Sequence, residues 1–278
     1  MESAHYEAML QKRPADVDAR AAEAKWDARA DEFDHSQRTK GSELADRVTE
    51  MLLTKGLLTG FDVLDVGGGT GRYAVPFAAY AKKVVMTDIS GKMLERAKEN
   101  ATLTKRPNIE CVRLDWAAAD VAAVGWERRF DLVFASMCPA ARSREGIDRM
   151  SLASRGSCLL NQMIESKDSV ADLLKDTLGL RPSYDPHNDR DSVQAFFNIL
   201  WLQGFEPEVA YLKEREDRSL SVEEAVSRYS RRFGEVATEK GLDLRGFLAD
   251  CAENGHVRVK SRTTLALVLW RAGSGADA

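Results

Sequence analysis

The chain has 278 residues, 44% of them hydrophobic, enough to bury a sizeable core in one large domain or one domain with a cap. With 40 Lys and Arg against 44 Asp and Glu, the net charge of −4 gives no bulk electrostatic reason to expect a polyanionic partner. Cys111, Cys138, Cys158 and Cys251 are scattered without CxxC spacing, which excludes a zinc cluster or a disulfide framework and fits reduced thiols. The first residues lack an apolar secretory core, and no run approaches the ~18 apolar residues of a membrane span, so a cytoplasmic chain with no membrane partner is expected.

Residues 1–55 are charged and rich in helix formers, and they are expected to form an N-terminal helical lid. Within them, 21–33 sets Ala24, Trp26, Ala30 and Phe33 among charges, and 41–55 carries Leu44, Val48, Met51 and Leu52 on one side. Ser42 is the expected N-cap of that second helix, with Asp46 near its start. Strand-like runs then fall at 62–66, 83–87, 109–114 and 130–135, separated by helical runs at 73–81, 92–101 and 117–123. This alternation predicts βαβ units and a parallel sheet. A helix at 147–154, a strand at 158–164, a helix at 192–203 and strands at 208–213 and 263–271 complete the pattern. Between the last two strands, 219–254 reads as helical, and Ser221 with Glu224 has capping-box spacing. The fold class is therefore α/β: a doubly wound, mostly parallel, seven-stranded sheet with N-terminal helices and a helical insertion before the last strand. The main domain is expected over 56–272, with a cap inserted at about 217–256 and a disordered tail at 273–278.

The most informative segment is Asp65-Val-Gly67-Gly-Gly69-Thr-Gly71. A buried strand ends in a glycine-rich turn, and glycine permits positive φ and close approach of a ligand to the backbone. The first such turn of an open α/β sheet lies at its carboxyl edge, where ligands bind. A dinucleotide fold wants GxGxxG, but counting from Gly67 puts Arg72 at the third glycine, and counting from Gly68 puts Thr70 at the second. The glycines at 67, 69 and 71 instead have GxGxG spacing, with acidic Asp65 two residues ahead. The P-loop pattern is absent. Asp88 ends the second strand, about twenty residues after the turn, where a carboxylate accepts from both ribose hydroxyls. Its competing role, capping the next helix, is better filled by Ser90.

Asp65–Gly71, Asp88-Ile-Ser with Met93-Leu94, Asp115-Trp116 and Phe130–Ser136 together resemble the class I, Rossmann-like S-adenosylmethionine-dependent methyltransferases. The likeness covers about 58–165. It implies S-adenosylmethionine as cofactor and S-adenosylhomocysteine as product. It also implies that Ile89 and Met93 line the adenine pocket and that Asp115 accepts from the adenine amino group. Trp116 would pack beside the ring or donate its backbone N–H, and Ser136 and Met137 would border the methionine part. Trp26-Asp-Ala-Arg29-Ala30-Asp-Glu-Phe33 is similar to the helix leading many small-molecule methyltransferases, above all a bacterial and archaeal group of unassigned substrate. In such enzymes that helix often closes over the cofactor; simple packing on the sheet is the alternative.

Methyl transfer from a sulfonium is an in-line displacement that asks for alignment and a dry site, and a base only when the acceptor must lose a proton. The loop Ser136-Met-Cys-Pro-Ala140 lacks the tetrapeptide that orients planar amides and exocyclic amines, which disfavours adenine-N6 and glutamine as acceptors. Cys138 precedes its proline, the reverse of the order in pyrimidine-attacking enzymes, and reads as a small buried hydrophobe. His187 is the candidate base or acceptor ligand, in a polar loop with Asp185, Asp189 and Asp191. No other group has ligand spacing, so no metal is expected. The reading is a methyltransferase with a small-molecule acceptor, monomeric or homodimeric, with no nucleic-acid partner. An RNA or protein methyltransferase and a non-catalytic cofactor-binding subunit are the alternatives.

Overall fold

A computed structural model of the chain describes residues 2–11, 18–40, 43–180 and 184–273. Four helices lead: α1 (Glu2–Leu10), α2 (Ala19–Asp27), α3 (Ala30–Lys40) and α4 (Glu43–Thr54). Helix α2 starts where Asp18 accepts from the Ala21 N–H at 2.7 Å. Helix α4 buries Ala45, Val48, Thr49 and Leu52; of the expected stripe, Val48 and Leu52 are buried, and Leu44 and Met51 are half-buried. The expected N-cap Ser42 and tail residues 274–278 lie outside the described residues.

The alternating part follows as β1 (Asp62–Val66), α5 (Ala74–Phe77), β2 (Lys83–Asp88), α6 (Gly91–Leu103), β3 (Ile109–Arg113) and β4 (Phe130–Ser136). Next come a 3-10 turn at Pro139–Ala141, α7 (Arg144–Ala153), β5 (Ser154–Asp168), α8 (Ser169–Thr177) and α9 (Arg190–Leu202). The chain ends with β6 (Glu208–Ser221), α10 (Val222–Glu239), α11 (Leu244–Asp250), β7 (Ala252–Glu253) and β8 (His256–Arg271). The strand order is β3-β2-β1-β4-β5-β8-β6, with β7 paired antiparallel to β8. The pairs β1–β2, β1–β4, β2–β3 and β4–β5 are parallel, as the alternation requires. Order reverses between β1 and β4, which opens a crevice at their carboxyl ends. At their other ends, Asp131 Oδ2 accepts from the Asp62 N–H at 2.9 Å, and Arg155 grips both Asp131 oxygens at 2.7 and 2.9 Å.

The chain divides into two compact units: 1–162 with 191–212 and 266–278, and 163–190 with 213–265. In the first, Val63, Leu64, Phe77, Phe130, Leu132, Phe134 and Trp270 are buried in the core. The second has its own core, in which Val170 and Leu174 meet Tyr229, Phe233, Leu248, Val257 and Val259. There Asp168 caps α8 by accepting from the Val170 and Ala171 N–H groups, and it also accepts from the Tyr229 hydroxyl at 2.8 Å. The Ser221–Glu224 capping box opens α10, as its spacing predicts.

Three local expectations are corrected. Residues 117–123 form turns, because the Asp115 and Asp120 carboxylates bind the Ala117 and Ala123 N–H groups and compete with a helical ladder. Helix α5 is four residues long and runs on as turns to Ala81. Strands β5, β6 and β8 each outrun the expected ranges, and β7 brings the strand count to eight. The added length of β8 alternates charged with apolar or small residues, a half-solvated strand pattern, and that of β6 opens with five consecutive charged residues, so low hydrophobic content hides both.

A Cβ on Gly156 would lie 2.4 Å from the Asp131 carbonyl oxygen, backbone that cannot yield without disturbing the β4–β5 pairing. Gly156→Ala is expected to cost ~2 kcal/mol or more of stability, read as a lower urea midpoint at unchanged slope.

Candidate functional site

Strand β1 delivers the glycine turn to the crevice. Gly67, Gly69 and Gly71 all adopt left-handed backbone, with φ of +67°, +59° and +89°, in the alternate spacing seen in the sequence. The Gly68 N–H donates to the Thr87 carbonyl at 2.9 Å and so ties the turn to β2. A Cβ on Gly67 would stand 2.5 Å from Cys138 Sγ, and one on Gly68 would stand 2.8 Å from Asp65 Oδ2. Arg72 is exposed, so nothing here asks for the close helix packing of a dinucleotide turn.

Two carboxylates lie beneath and beside this turn. Asp65 is 1% exposed, and its Oδ2 has no hydrogen-bond partner. Burial, reinforced by the Asp88 charge and opposed by the Ala74 N–H, pushes Asp65 up to about 7. Asp88 accepts from the Gly69 N–H at 3.0 Å and from the Ser90 N–H at 2.9 Å. Burial raises its carboxyl, and the N–H groups of Ser90, Gly69 and Ile89 oppose that rise. Ser90 takes the capping role, accepting from the Met93 N–H at 3.0 Å, which leaves Asp88 at the strand end.

The remaining positions divide. Met93 is buried with Sδ 4.0 Å from where a Gly69 Cβ would stand, and Ile89 is half-buried beside Asp88. The Leu114 N–H donates to the Asp88 carbonyl, which sets Asp115 next to this group. The Asp115 carboxylate accepts from the Ala117 N–H at 3.0 Å. The Trp116 ring is buried and donates Nε1–H to the Gly146 carbonyl at 3.3 Å. Ser136 and Met137 are half-buried at the end of β4, and Met137 holds a left-handed φ of +52° with its N–H on the Asn161 carbonyl. Burial pushes the Cys138 thiol up to about 12, so no thiolate is available near neutral pH. His187 belongs to the second unit, where it is exposed with Nδ1 3.6 Å from Asp185 Oδ1. Among the described residues, no group of three or more His, Cys, Asp or Glu is arranged to hold a metal.

Sequence reasoning missed two sets of neighbours. Tyr73, just past the turn, is buried with its ring 4.8 Å from Phe134, and its hydroxyl interacts with Ser136 and Asn161. The leading helices also dock through a polar ladder. Asp27 accepts from Ser90 Oγ at 2.5 Å, Asp31 pairs with Arg96 at 2.7 Å, and Asp34 accepts from Asn100 at 2.7 Å. Gln37 accepts from the Thr70 hydroxyl of the glycine turn at 2.7 Å. Asp31 and Asp34 share one face of α3, and the i, i+4, i+7 spacing that they make with Asp27 at the end of α2 was the available signal. Arg29 stacks over Trp26 and Phe33, which uses the aromatic pair of the leading motif internally.

Residues 63–152 match the sequence profile of a family described as a methyltransferase domain. Over those residues the chain carries a methyltransferase domain. Over 87 residues, 31% of the chain, it is 40% identical to a ribosomal protein L11 methyltransferase of Dictyoglomus thermophilum. Over 53 residues, 19% of the chain, it is 38% identical to a tRNA/tmRNA (uracil-C(5))-methyltransferase of Sulfurimonas denitrificans. The matched segments span only 27% and 14% of those two relatives. Magnesium protoporphyrin IX methyltransferase from Synechocystis, solved with bound SAH, shares the fold at 18% identity and a TM-score of 0.51. That likeness covers 90% of this chain and 99% of the Synechocystis chain. The methyltransferase domain thus includes the glycine turn, Asp65, Asp88, Asp115 and Ser136. No described helix is long and apolar enough to cross a membrane.

Asp65 gives this domain a pH signature. The unfolded chain releases this proton near the ordinary 3.8 and the folded chain near 7, so folded-state stability is full at low pH and falls as pH rises between them. Between pH 5 and 8 the wild type is expected to lose about 2–3 kcal/mol relative to Asp65→Asn. Urea unfolding of both proteins without ligand checks this; parallel pH profiles would refute it.

Proposed function

We propose that the protein is an S-adenosylmethionine-dependent methyltransferase acting on a small-molecule acceptor by in-line displacement. The observation that carries this is the meeting of three left-handed glycines, the strand-end Asp88 and the unpartnered Asp65 oxygen at one crevice. A buried carboxylate with an empty acceptor site fits a cationic ligand, which would restore its ionised form. The bound cofactor would supply a methyl group on a sulfonium.

The chain's own residues bind and align. Asp88 has acceptor capacity left for ribose hydroxyls beyond the backbone N–H groups of Ser90, Gly69 and Ile89. Gly67, Gly69 and Gly71 let the ligand approach the backbone. Ile89 and Met93 offer the apolar wall for adenine, with Asp115 for its amino group and the Trp116 backbone beside it. Ser136 and Met137 border the methionine part. The ladder from Asp27 to Gln37 holds α2 and α3 against α6 and the glycine turn, which suits a cover that excludes water. The small-molecule reading is supported by the net charge of −4 and by the absence of the tetrapeptide used for planar amines.

Calorimetry with S-adenosylhomocysteine tests the cofactor. Wild type should bind, and Asp88→Ala should bind ~30-fold or more weakly, the loss expected for charge-assisted hydrogen bonds. Binding indifferent to Asp88→Ala would end the assignment. Labelled cofactor in cell extract then tests the acceptor. Label in small molecules supports the proposal, and label in RNA or protein would move the acceptor to the classes named for the two sequence relatives.

A further inference from the structure

Helix α6 ends beside β3, the last strand on that side of the sheet, and a cavity of about 500 Å³ opens there. The crevice lies at the other end of α6, where Ser90 and Met93 are, about 20 Å away along the helix. Ala101, Pro107, Ile109 and Cys111 form the apolar side of the cavity, and Lys98, Lys105 and Arg106 stand around it. No carboxylate lines it. Glu99 and Glu110, close by in the chain, are held by Arg96 at 2.8 Å and by Lys83 at 2.6 Å. Among the described residues no acid bonds Lys98, Lys105 or Arg106, and the buried Arg106 Nε has no hydrogen-bond partner. The Lys98 charge reaches the Cys111 thiol, where it opposes the rise that burial causes.

The helix end does not account for these cations. The Asn100, Ala101 and Thr102 carbonyls already take the Thr104, Arg106 and Lys105 N–H groups at 3.0, 2.8 and 3.1 Å, so backbone caps the last turn. Lys105 holds a left-handed φ of +55° at the position of that cap where glycine is usual, so its long side chain is kept at a conformational cost. Three cations without a counter-charge repel one another, and a buried guanidinium nitrogen without an acceptor is costly. An anion of more than one charge relieves both, the apolar side asks for a carbon body, and the volume suits a small molecule. A phosphate monoester carries about −1.5 to −2 charge near neutral pH and offers the oxygens that match a guanidinium. We propose that the cavity between α6 and β3 binds a small phosphate monoester, with its phosphate among Lys98, Lys105 and Arg106 and its body against Ala101, Pro107 and Ile109. The crevice, with Asp27, Asp65 and Asp88, has the opposite sign and does not compete for such a ligand.

Phenyl phosphate is the probe, titrated into the whole chain by calorimetry, with inorganic phosphate and a 5′-phosphorylated oligoribonucleotide in parallel. Wild type should bind phenyl phosphate with a Kd of about 1 mM or tighter, and inorganic phosphate ~5-fold or more weakly. Lys105→Gly and Arg106→Gln should each weaken phenyl phosphate ~10-fold or more, the loss expected for a charge-assisted hydrogen bond. Glycine suits the left-handed backbone, so Lys105→Gly should melt no lower than wild type while binding is lost; a lysine kept for structure would show the reverse. No binding by wild type, or an affinity unchanged in both variants, overturns the inference. So does inorganic phosphate that binds as tightly as phenyl phosphate, because the apolar side then contributes nothing. Tighter binding of the oligoribonucleotide than of phenyl phosphate would make the cluster a nucleic-acid contact and overturns it as well.

Discussion

The turn from β1 into α5 must pass over two side chains that leave it almost no room. Cys138 Sγ stands under Gly67 and Asp65 Oδ2 under Gly68, so neither position has space for a Cβ. The backbone meets this by going left-handed at three alternate glycines and by giving the Gly68 N–H to Thr87 on the next strand. Everything at the crevice depends on that path. It brings the Gly69 N–H to Asp88, sets Tyr73 against Phe134, and keeps the carboxyl ends of β1 and β4 close together. A turn with side chains would hold the same strands apart and bury the same ligand-facing groups under its own atoms.

The electrostatics of the site follow from the same crowding. Asp65 and Asp88 are both buried, each raises its own proton affinity through lost hydration, and the charge on Asp88 adds to the burden on Asp65. Asp27 adds a third carboxylate close by, held ionised mainly by its bond from Ser90. Among the described residues no side-chain cation bonds Asp65 Oδ2. A site of this sign holds free energy that a positively charged ligand releases on binding, so discrimination for a cation is built in before any contact with the acceptor. The leading helices reach the same region through neutral and anionic groups, which leaves that sign unchanged.

The second unit has a different logic. Its core is a sheet face covered by α8 and α10, with Asp168 joining the start of α8 to Tyr229 and Arg228 of α10. Along β8 the inward residues are Val257 and Val259 and the outward ones are Arg258 and Lys260, a two-residue alternation that a one-sided sheet imposes. Arg258 and Arg262 are tied to Asp217 and Glu165, so much of that outward charge is spent between neighbouring strands.

What the sequence determined by itself was local and periodic: the parallel alternation, the GxGxG register that rejects a dinucleotide, Asp88 at a strand end, and the capping box at Ser221. Each is written in residues close together in the chain, where backbone sterics and hydrogen-bond geometry act without help from distant parts. The tertiary structure decided the rest. Charged strands such as β6 and the first half of β8 have too little hydrophobic contrast to announce themselves, and only pairing shows them as strands. Trp116 sits at a position that reads equally as ligand wall or core, and the Gly146 carbonyl on its indole nitrogen puts the ring in the core. Asn161 looks like any strand asparagine until the β4–β5 register sets it opposite Ser136 and within reach of the Tyr73 hydroxyl. Asp65 precedes a glycine in the sequence, but its raised proton affinity exists only because Gly68, Met86 and the Asp88 charge close around it. Glycine spacing is a property of the chain; the cost of a buried charge is a property of what the fold packs around it.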